Sequence, residues 1–215
     1  MKNTTVETSR TPSLPARKPT NGRVTFEEFC QIINEHQKAD LIEGVIVLQS
    51  PASLMHEELA IFLESILATF VYHQRLGRVF GSRAAVKFTP YNAPEPDLCY
   101  VSSARVHILR EQYIAGAPDM ICEIISPGTR KIDRNDKMKM YARYGVQEYW
   151  LIDPHKQTAE FFRNEQGKWV PIGLDVTGVF RSEVIPGFWL RVDWLFAEEM
   201  PDILHTVTTI LESSH

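Results

Sequence analysis

The stretch "MICEIISPGTRKIDRNDKMKMYARYG", residues 120–145, decides the fold class of this chain. It opens with an apolar run, residues 120–125, that only Glu123 interrupts. A short apolar run that ends at Ser-Pro is typical of a strand buried on both faces of a sheet. Charged and apolar residues then alternate with helical spacing as far as Gly145, so we predict a helix over residues 132–144.

Glu123 needs a partner if this strand is buried. An unpaired carboxylate inside a sheet costs several kcal/mol or takes up a proton. One interpretation is a buried ion pair with an arginine such as Arg83. Another is a cation shared with further acidic residues beside apolar runs, namely Asp97 in "PEPDLCYV" and Glu43 in "DLIEGVIV".

Strand and helix patterns continue on both sides of this stretch. Strands are predicted in "ADLIEGVIVLQSP", residues 78–89, "DLCYV" and "EYWLID", and helices after the capping box that starts at Thr25 and after Ser53. From "QTAEFFR" to "IPGFWLRVDWLF" the pattern indicates a β-meander. We therefore expect an α/β (α+β) fold, with a mixed central β-sheet flanked by helices and a C-terminal β-meander.

Length and composition favour one globular domain. The chain has 215 residues, 44% hydrophobic and 23% charged, and its Thr-, Ser- and Pro-rich start predicts a disordered tail over residues 1–22 before a single domain over 23–215. Three scattered cysteines do not form a disulfide framework or a zinc site. No stretch resembles a membrane span or a signal peptide, so we expect a cytoplasmic protein.

The charge of the chain is unevenly distributed. The net charge is −4, yet residues 1–23 hold five basic residues against one acidic residue, and residues 128–145 hold six against two. A local basic surface on an acidic body is compatible with phosphate contact, although such a helix surface can equally be solvated.

Two or three carboxylates on neighbouring strands repel each other unless a cation lies between them. Mg²⁺ takes oxygen ligands, often one or two carboxylates together with waters and phosphate oxygens. Such a site suits phosphodiester hydrolysis, in which a nearby lysine orients the attacking water and stabilises developing charge. Lys137 suits that role, because it lies one helical turn after Asp133 and shares its face.

Several of these stretches together resemble a known family. The stretches "DLIEG" followed by "SPASLMHEEL", then "PEPDLCYV", then "ICEIISPGTRKIDRNDKMKMYARYGVQEYWLIDP" look like the Uma2 (DUF820) family, similar to the PD-(D/E)XK restriction-endonuclease-like superfamily. The resemblance runs from about residue 24 to residue 196. It implies that Asp97 and Glu123 bind Mg²⁺, that Glu43 is the N-terminal acidic residue, and that His56 contacts the site.

One position departs from the superfamily pattern. The lysine expected two residues after the glutamate is replaced by Ile125. Related proteins recruit a lysine from the following helix, and Lys137 lies where that lysine would be. Lys131 and Lys139 compete for the role, and Lys139 is disfavoured because it points away from the face of Lys137.

The sequence thus predicts a Mg²⁺-dependent endonuclease that hydrolyses phosphodiester bonds in DNA, with Mn²⁺ as a substitute ion. The predicted catalytic residues are Asp97, Glu123, Lys137, Glu43 and His56. A homodimer is expected by analogy, because cutting both strands of a duplex needs two sites. The alternative is a catalytically inactive nuclease-fold module that binds nucleic acid or protein.

Overall fold

The computed structural model describes residues 22–34, 37–126, 128 and 132–213, and its centre is a six-stranded sheet. The strands lie in the order β10–β9–β8–β7–β5–β3. Their bounds are β3 Gly77–Gly81, β5 Leu98–Ser102, β7 Met120–Ile124, β8 Glu148–Asp153, β9 Thr158–Glu165 and β10 Lys168–Pro171. Only β7 and β8 run parallel to each other, and the other neighbours are antiparallel.

Among the described residues, three two-stranded sheets and four α-helices surround the central sheet. The small sheets pair β1 Ala39–Ile42 with β2 Val45–Leu48, β4 Val86–Lys87 with β6 Ile114–Ala115, and β11 Val179–Arg181 with β12 Trp189–Arg191. The helices are α1 Phe26–Ile32, α2 Leu54–His73, α3 Met138–Tyr144 and α4 Ile203–Glu212. A π-helical segment, Ile132–Lys137, leads directly into α3, and 3₁₀ segments cover Ser103–Ile108 and Val192–Phe196.

The alternation of side chains along β7 separates two hydrophobic cores. Met120, Cys122 and Ile124 belong to the core that α2 and α4 cover, whereas Ile121 belongs to the core on the α3 side. Glu123 alternates with them and therefore points to the α3 side. Every residue of β7 and β8 is buried, as the apolar run predicted. The predicted mixed sheet flanked by helices is confirmed.

Two predicted strands are wrong in detail. "ADLIEGVIVLQSP" is a hairpin, because Glu43 and Gly44 take left-handed φ angles of 50° and 79° and reverse the chain between β1 and β2. Residues 78–89 form β3 and β4, because Arg83 has a φ of 81° and turns the backbone between them.

The predicted meander is only partly correct. β8, β9 and β10 form a meander within the central sheet, but β11 and β12 form a separate hairpin packed on the α2 core. The last predicted strand residues, Val192–Phe196, are 3₁₀-helical. Of the predicted tail, residues 1–21 lie outside the described residues, so the domain boundary stays a prediction. No helix in the described part is long and apolar enough to cross a bilayer.

A glycine, Gly145, ends α3. Gly145 closes the helix with a φ of 88°, and a Cβ there would meet no atom within 4 Å. Gly145→Ala should therefore lower the free energy of unfolding by about 1–2 kcal/mol, through backbone strain alone. Urea unfolding measures the change. Gly173→Ala is the matched control, because that site is equally open but has no left-handed φ. Equal losses of stability in the two variants would show that the left-handed φ of Gly145 is not the cause.

Candidate active site

A polar pocket of about 400 Å³ opens where β5 begins and β7 ends. Its wall includes Lys38, His56, Asp97, Glu123 and Lys137. Lys38 precedes β1, His56 lies in the first turn of α2, Asp97 immediately precedes β5, and Lys137 ends the π-helical segment. Five parts of the chain that are distant in sequence thus meet in one cavity.

The register of β5 and β7 brings the two acidic residues together. Leu98 lies opposite Cys122 in this antiparallel pair, so Asp97 and Glu123 occupy the next opposed positions. The amide of Ile124 donates a hydrogen bond to Asp97 Oδ2 at 2.8 Å. The predicted pair of carboxylates therefore lines one wall of the pocket.

Asp97 is held by two side chains besides that amide. Lys38 Nζ lies 2.5 Å from Oδ1, and His56 Nε2 lies 3.3 Å from Oδ2. Burial raises the pKa of Asp97, but the hydrogen bond from His56 and the charge of Lys38 outweigh it, so this pKa lies well below its usual range. Asp97 is therefore a carboxylate at neutral pH.

The partner of Glu123 is Lys137, together with Tyr141. Lys137 Nζ lies 3.1 Å and the Tyr141 hydroxyl 2.5 Å from Glu123 Oε1. Arg83, the alternative partner, lines the same pocket but donates to the carbonyl of Gln37 at 3.4 Å. Burial raises the pKa of Glu123 to about 8. The charge of Lys137 lowers this pKa, whereas the nearby carboxylates, first Asp133, raise it further.

Lys137 lies within a cluster of three carboxylates, which we call the lysine cluster: Lys137, Glu123, Asp40 and Asp133. Besides Glu123, its Nζ lies 3.0 Å from Asp40 Oδ2 and 3.5 Å from Asp133 Oδ1. Its side chain is 1% exposed. Burial lowers the pKa of Lys137, but the three carboxylates, first Asp40, raise it well above its usual value, so the group is a cation.

Lys137 lies beside Glu123, and it also contacts Asp133, whose helix face it was predicted to share. The i to i+4 contact is made in a π-helical segment, a geometry that often occurs at functional sites. The competitor Lys139 is exposed, consistent with its position on the helix, and Lys131 lies outside the described residues.

Of the remaining predicted residues, the structure brings in His56 but not Glu43. Glu43 lies in the β1–β2 turn, where its side chain is 64% exposed and contacts Arg23 at 3.2 Å and Asn92 at 3.1 Å. Asp40, three residues earlier, takes the expected place beside Lys137. The assignment of Glu43 to this pocket is therefore corrected, because the hairpin turn directs it to solvent.

Three residues of this constellation are missing from the sequence prediction: Asp40, Lys38 and Tyr141. Glycine after Glu43, between two short apolar runs, is compatible with a hairpin turn. A turn at Glu43 would place Asp40, and not Glu43, within the preceding strand. Tyr141 follows Lys137 by four residues and so shares its face. Lys38 carries no comparable signal, because its approach to Asp97 depends on tertiary packing.

The donor set fits a divalent cation. Two lysines and one histidine oppose four acidic residues, Asp40, Asp97, Glu123 and Asp133. Burial is the main cause of the raised pKa of Glu123, and the neighbouring carboxylates add to it. In the part of the chain that the structure describes, no group of three or more acidic, His or Cys side chains is arranged to hold a metal ion by itself. Mg²⁺ needs no such cage, because it is commonly held by one or two carboxylates and waters.

Comparison with known proteins gives the family of the chain. A model of the Uma2 family, described as "Putative restriction endonuclease", matches residues 26–193. The chain belongs to the Uma2 family. The match spans every element that forms the pocket, from the hairpin with Asp40 to the segment with Lys137.

A solved structure shows the same fold as this Uma2 protein. It is described as "a putative nuclease belonging to DUF820" from Anabaena variabilis, and it superimposes with a TM-score of 0.67 at 24% sequence identity. The similarity covers 80% of this chain and 97% of that one. No curated protein matches the chain.

The raised pKa of Glu123 predicts how stability depends on pH. Between about pH 4.5 and 8 the folded protein keeps a proton that the unfolded chain releases, so stability falls as pH rises through this window. In EDTA, the wild type should lose about 1 kcal/mol or more relative to Glu123→Gln between pH 5 and 8.5. Urea unfolding at both pH values measures this. Glu165→Gln is the control, because its side chain is exposed, and its stability should depend on pH as that of the wild type does. If the stabilities of wild type and Glu123→Gln change in parallel with pH, the raised pKa of Glu123 is refuted.

Asp40 and Glu43 should differ sharply in their contribution to stability. Asp40 accepts hydrogen bonds from the Glu95 amide at 2.8 Å and from Gln49 at 2.9 Å, besides contacting Lys137. Asp40→Ala should cost about 3 kcal/mol, because a buried network loses its acceptor. Glu43→Ala should cost less than about 1 kcal/mol, because its ion pair is exposed. Chemical denaturation compares the two, and similar losses would disprove the placement of Asp40.

Proposed function

We propose that this Uma2 protein is a Mg²⁺-dependent endonuclease that hydrolyses phosphodiester bonds in DNA, with Mn²⁺ as a substitute ion. The observation that carries the proposal is the pairing of Asp97 and Glu123 on one wall of a polar pocket, with Lys137 3.1 Å from Glu123. Family membership supports the same reaction class.

Asp97 and Glu123 would hold the metal. When bound there, Mg²⁺ would supply Lewis-acid chemistry, which polarises a phosphoryl oxygen and lowers the pKa of water. Asp97 is ionised in the absence of metal because of its contacts with His56 and Lys38. Glu123 has a pKa of about 8 and must lose its proton to become a ligand, so metal binding near neutral pH should release protons.

Lys137 supplies the fixed positive charge. Its ammonium group borders the pocket, and Asp40 and Asp133 hold it in place from the protein side. A cation fixed in this way can orient the attacking water and stabilise the charge that develops on the phosphate, without reorganisation during the reaction. Tyr141 fixes the carboxylate of Glu123, and His56 fixes that of Asp97.

The proposal extends to the substrate and, by analogy, to the assembly. DNA is the proposed substrate, and we propose a homodimer as the active form, because cutting both strands of a duplex needs two sites.

One observation favours a second candidate, a catalytically inactive module that binds nucleic acid or protein. Lys38 contacts Asp97 Oδ1 at 2.5 Å, so a cation of the chain itself already neutralises this carboxylate. A nuclease must release Lys38 from this contact when the metal binds, whereas an inactive module would keep it.

Supercoiled plasmid nicking tests the proposed function. With Mg²⁺ or Mn²⁺, the wild type should convert supercoiled plasmid to the open circle, and EDTA should abolish the conversion. Asp97→Asn, Glu123→Gln and Lys137→Met should each lower the rate about 100-fold or more, because each removes a ligand or a charge of the transition state. Glu43→Gln is the matched control, since it removes the same charge outside the pocket and should cut at the wild-type rate.

Metal binding distinguishes the two candidates. Isothermal titration with Mn²⁺ should show a site in the wild type that Asp97→Asn weakens at least tenfold. Cleavage that survives in the Asp97 and Glu123 variants would assign the activity to another site. Absence of both Mn²⁺ binding and cleavage would reject the nuclease and favour the inactive module.

A further inference from the structure

A second groove, of about 730 Å³, continues from the active-site pocket, and we call it the arginine groove. Arg78 on β3, Arg83 in the turn after β3, and Arg110 after the 3₁₀ segment lie along it. All three side chains are exposed. The groove shares Ser82 and Arg83 with the pocket that contains Asp97 and Glu123, so the two cavities are contiguous.

These arginines differ from most others in the described part of the chain. Six arginines lie within 4 Å of a carboxylate: Arg23, Arg105, Arg134, Arg163, Arg181 and Arg191. No described carboxylate lies this close to Arg78, Arg83 or Arg110, and Glu111 is the single acidic residue of the groove lining. On a chain with a net charge of −4, three guanidinium groups that line one groove without a carboxylate partner form a local positive surface.

Backbone contacts hold two of these guanidinium groups. Arg110 Nη1 donates to the carbonyls of His107 at 2.7 Å and Leu109 at 3.1 Å. Arg83 Nη2 donates to the carbonyl of Gln37 at 3.4 Å, and Gln37 itself lines the active-site pocket. Their charges are therefore fixed in position but not neutralised, which leaves them available to an anion.

Arg83 also has a backbone conformation that the local sequence does not favour. Its φ of 81° is a left-handed value that costs a residue with a Cβ about 1–2 kcal/mol. Glycine would fit this turn without strain, yet the chain places there the arginine that borders both cavities. Strained residues of this kind concentrate at functional sites.

From these observations we infer that the arginine groove binds the phosphate backbone of the DNA strand that leads to the scissile phosphate. This inference rests on the proposed function and deepens it, because it names the surface that holds the substrate outside the catalytic pocket. Guanidinium groups bind phosphate oxygens in bidentate geometry, and contacts of this kind position a nucleic acid without reading its sequence. The groove should therefore contribute affinity but little sequence preference.

Salt-dependent DNA binding tests the inference. A short fluorescent duplex is titrated with protein carrying Glu123→Gln, to prevent cleavage, and anisotropy gives the dissociation constant over a range of KCl concentrations. Arg78→Gln and Arg110→Gln should each weaken binding roughly eightfold at 0.1 M salt and reduce the slope of log K against log salt by about 0.9. The double variant should reduce the slope by about 1.8.

Two variants control for charge and folding. Lys168→Gln removes one exposed positive charge at the opposite edge of the sheet, on β10, and should bind like the parent. Arg83→Gly removes the charge and relieves the left-handed φ, so it should weaken DNA binding roughly eightfold while its Tm is unchanged or raised.

The outcomes separate this inference from the proposed function. If the wild type nicks plasmid but the arginine variants bind like Lys168→Gln, the groove does not hold DNA and the nuclease stands. If nicking fails but the arginine variants lose affinity and salt slope, the groove binds DNA and the nuclease proposal fails. Absence of duplex binding by the parent at any salt concentration would overturn the inference.

Discussion

The buried contact between Lys137 and three carboxylates is the interaction on which the site depends. It links β7 through Glu123, the β1–β2 hairpin through Asp40, and the π-helical segment through Asp133. Removing a lysine and its acidic partners from water is costly, and the mutual attraction offsets that cost only while every partner stays in place. The lysine cluster therefore requires the hairpin, the sheet and the helix to dock together, and this docking forms the wall of the pocket.

Two carboxylates on neighbouring strands acquire opposite pKa shifts from their surroundings. Asp97 contacts Lys38 and His56, and their effect outweighs that of burial, so its pKa lies below the usual range. Glu123 is more deeply enclosed and shares its cation with two other carboxylates, so its pKa rises to about 8. A pair of acidic groups held in different protonation states near neutral pH is a pattern common in active sites.

The arginines of the described chain fall into two groups, those that contact a carboxylate and those that do not. Most arginines of the described chain contact a carboxylate, whereas the three that line the arginine groove do not, so they leave a positive surface beside the candidate active site. A protein with a net charge of −4 can in this way attract a polyanion to one face while the rest of its surface repels it. The pocket and the groove share Arg83, so the proposed sites of cleavage and of DNA binding border the same turn.

The sequence by itself determined the elements whose periodicity is local: the buried strand β7, the helix that ends at Gly145, and the spacing that places Lys137 on the face of Asp133. It also predicted that Asp97 and Glu123 meet on neighbouring strands, because carboxylates beside apolar runs need a partner, and the register of β5 and β7 brings them together. Only the tertiary structure decided that Asp40 rather than Glu43 reaches Lys137, since a left-handed turn at residues 43–44 directs one side chain inward and the other to solvent. The contact of Lys38 with Asp97 and the row of unpaired arginines likewise join residues distant in sequence, and no local pattern encodes such distances.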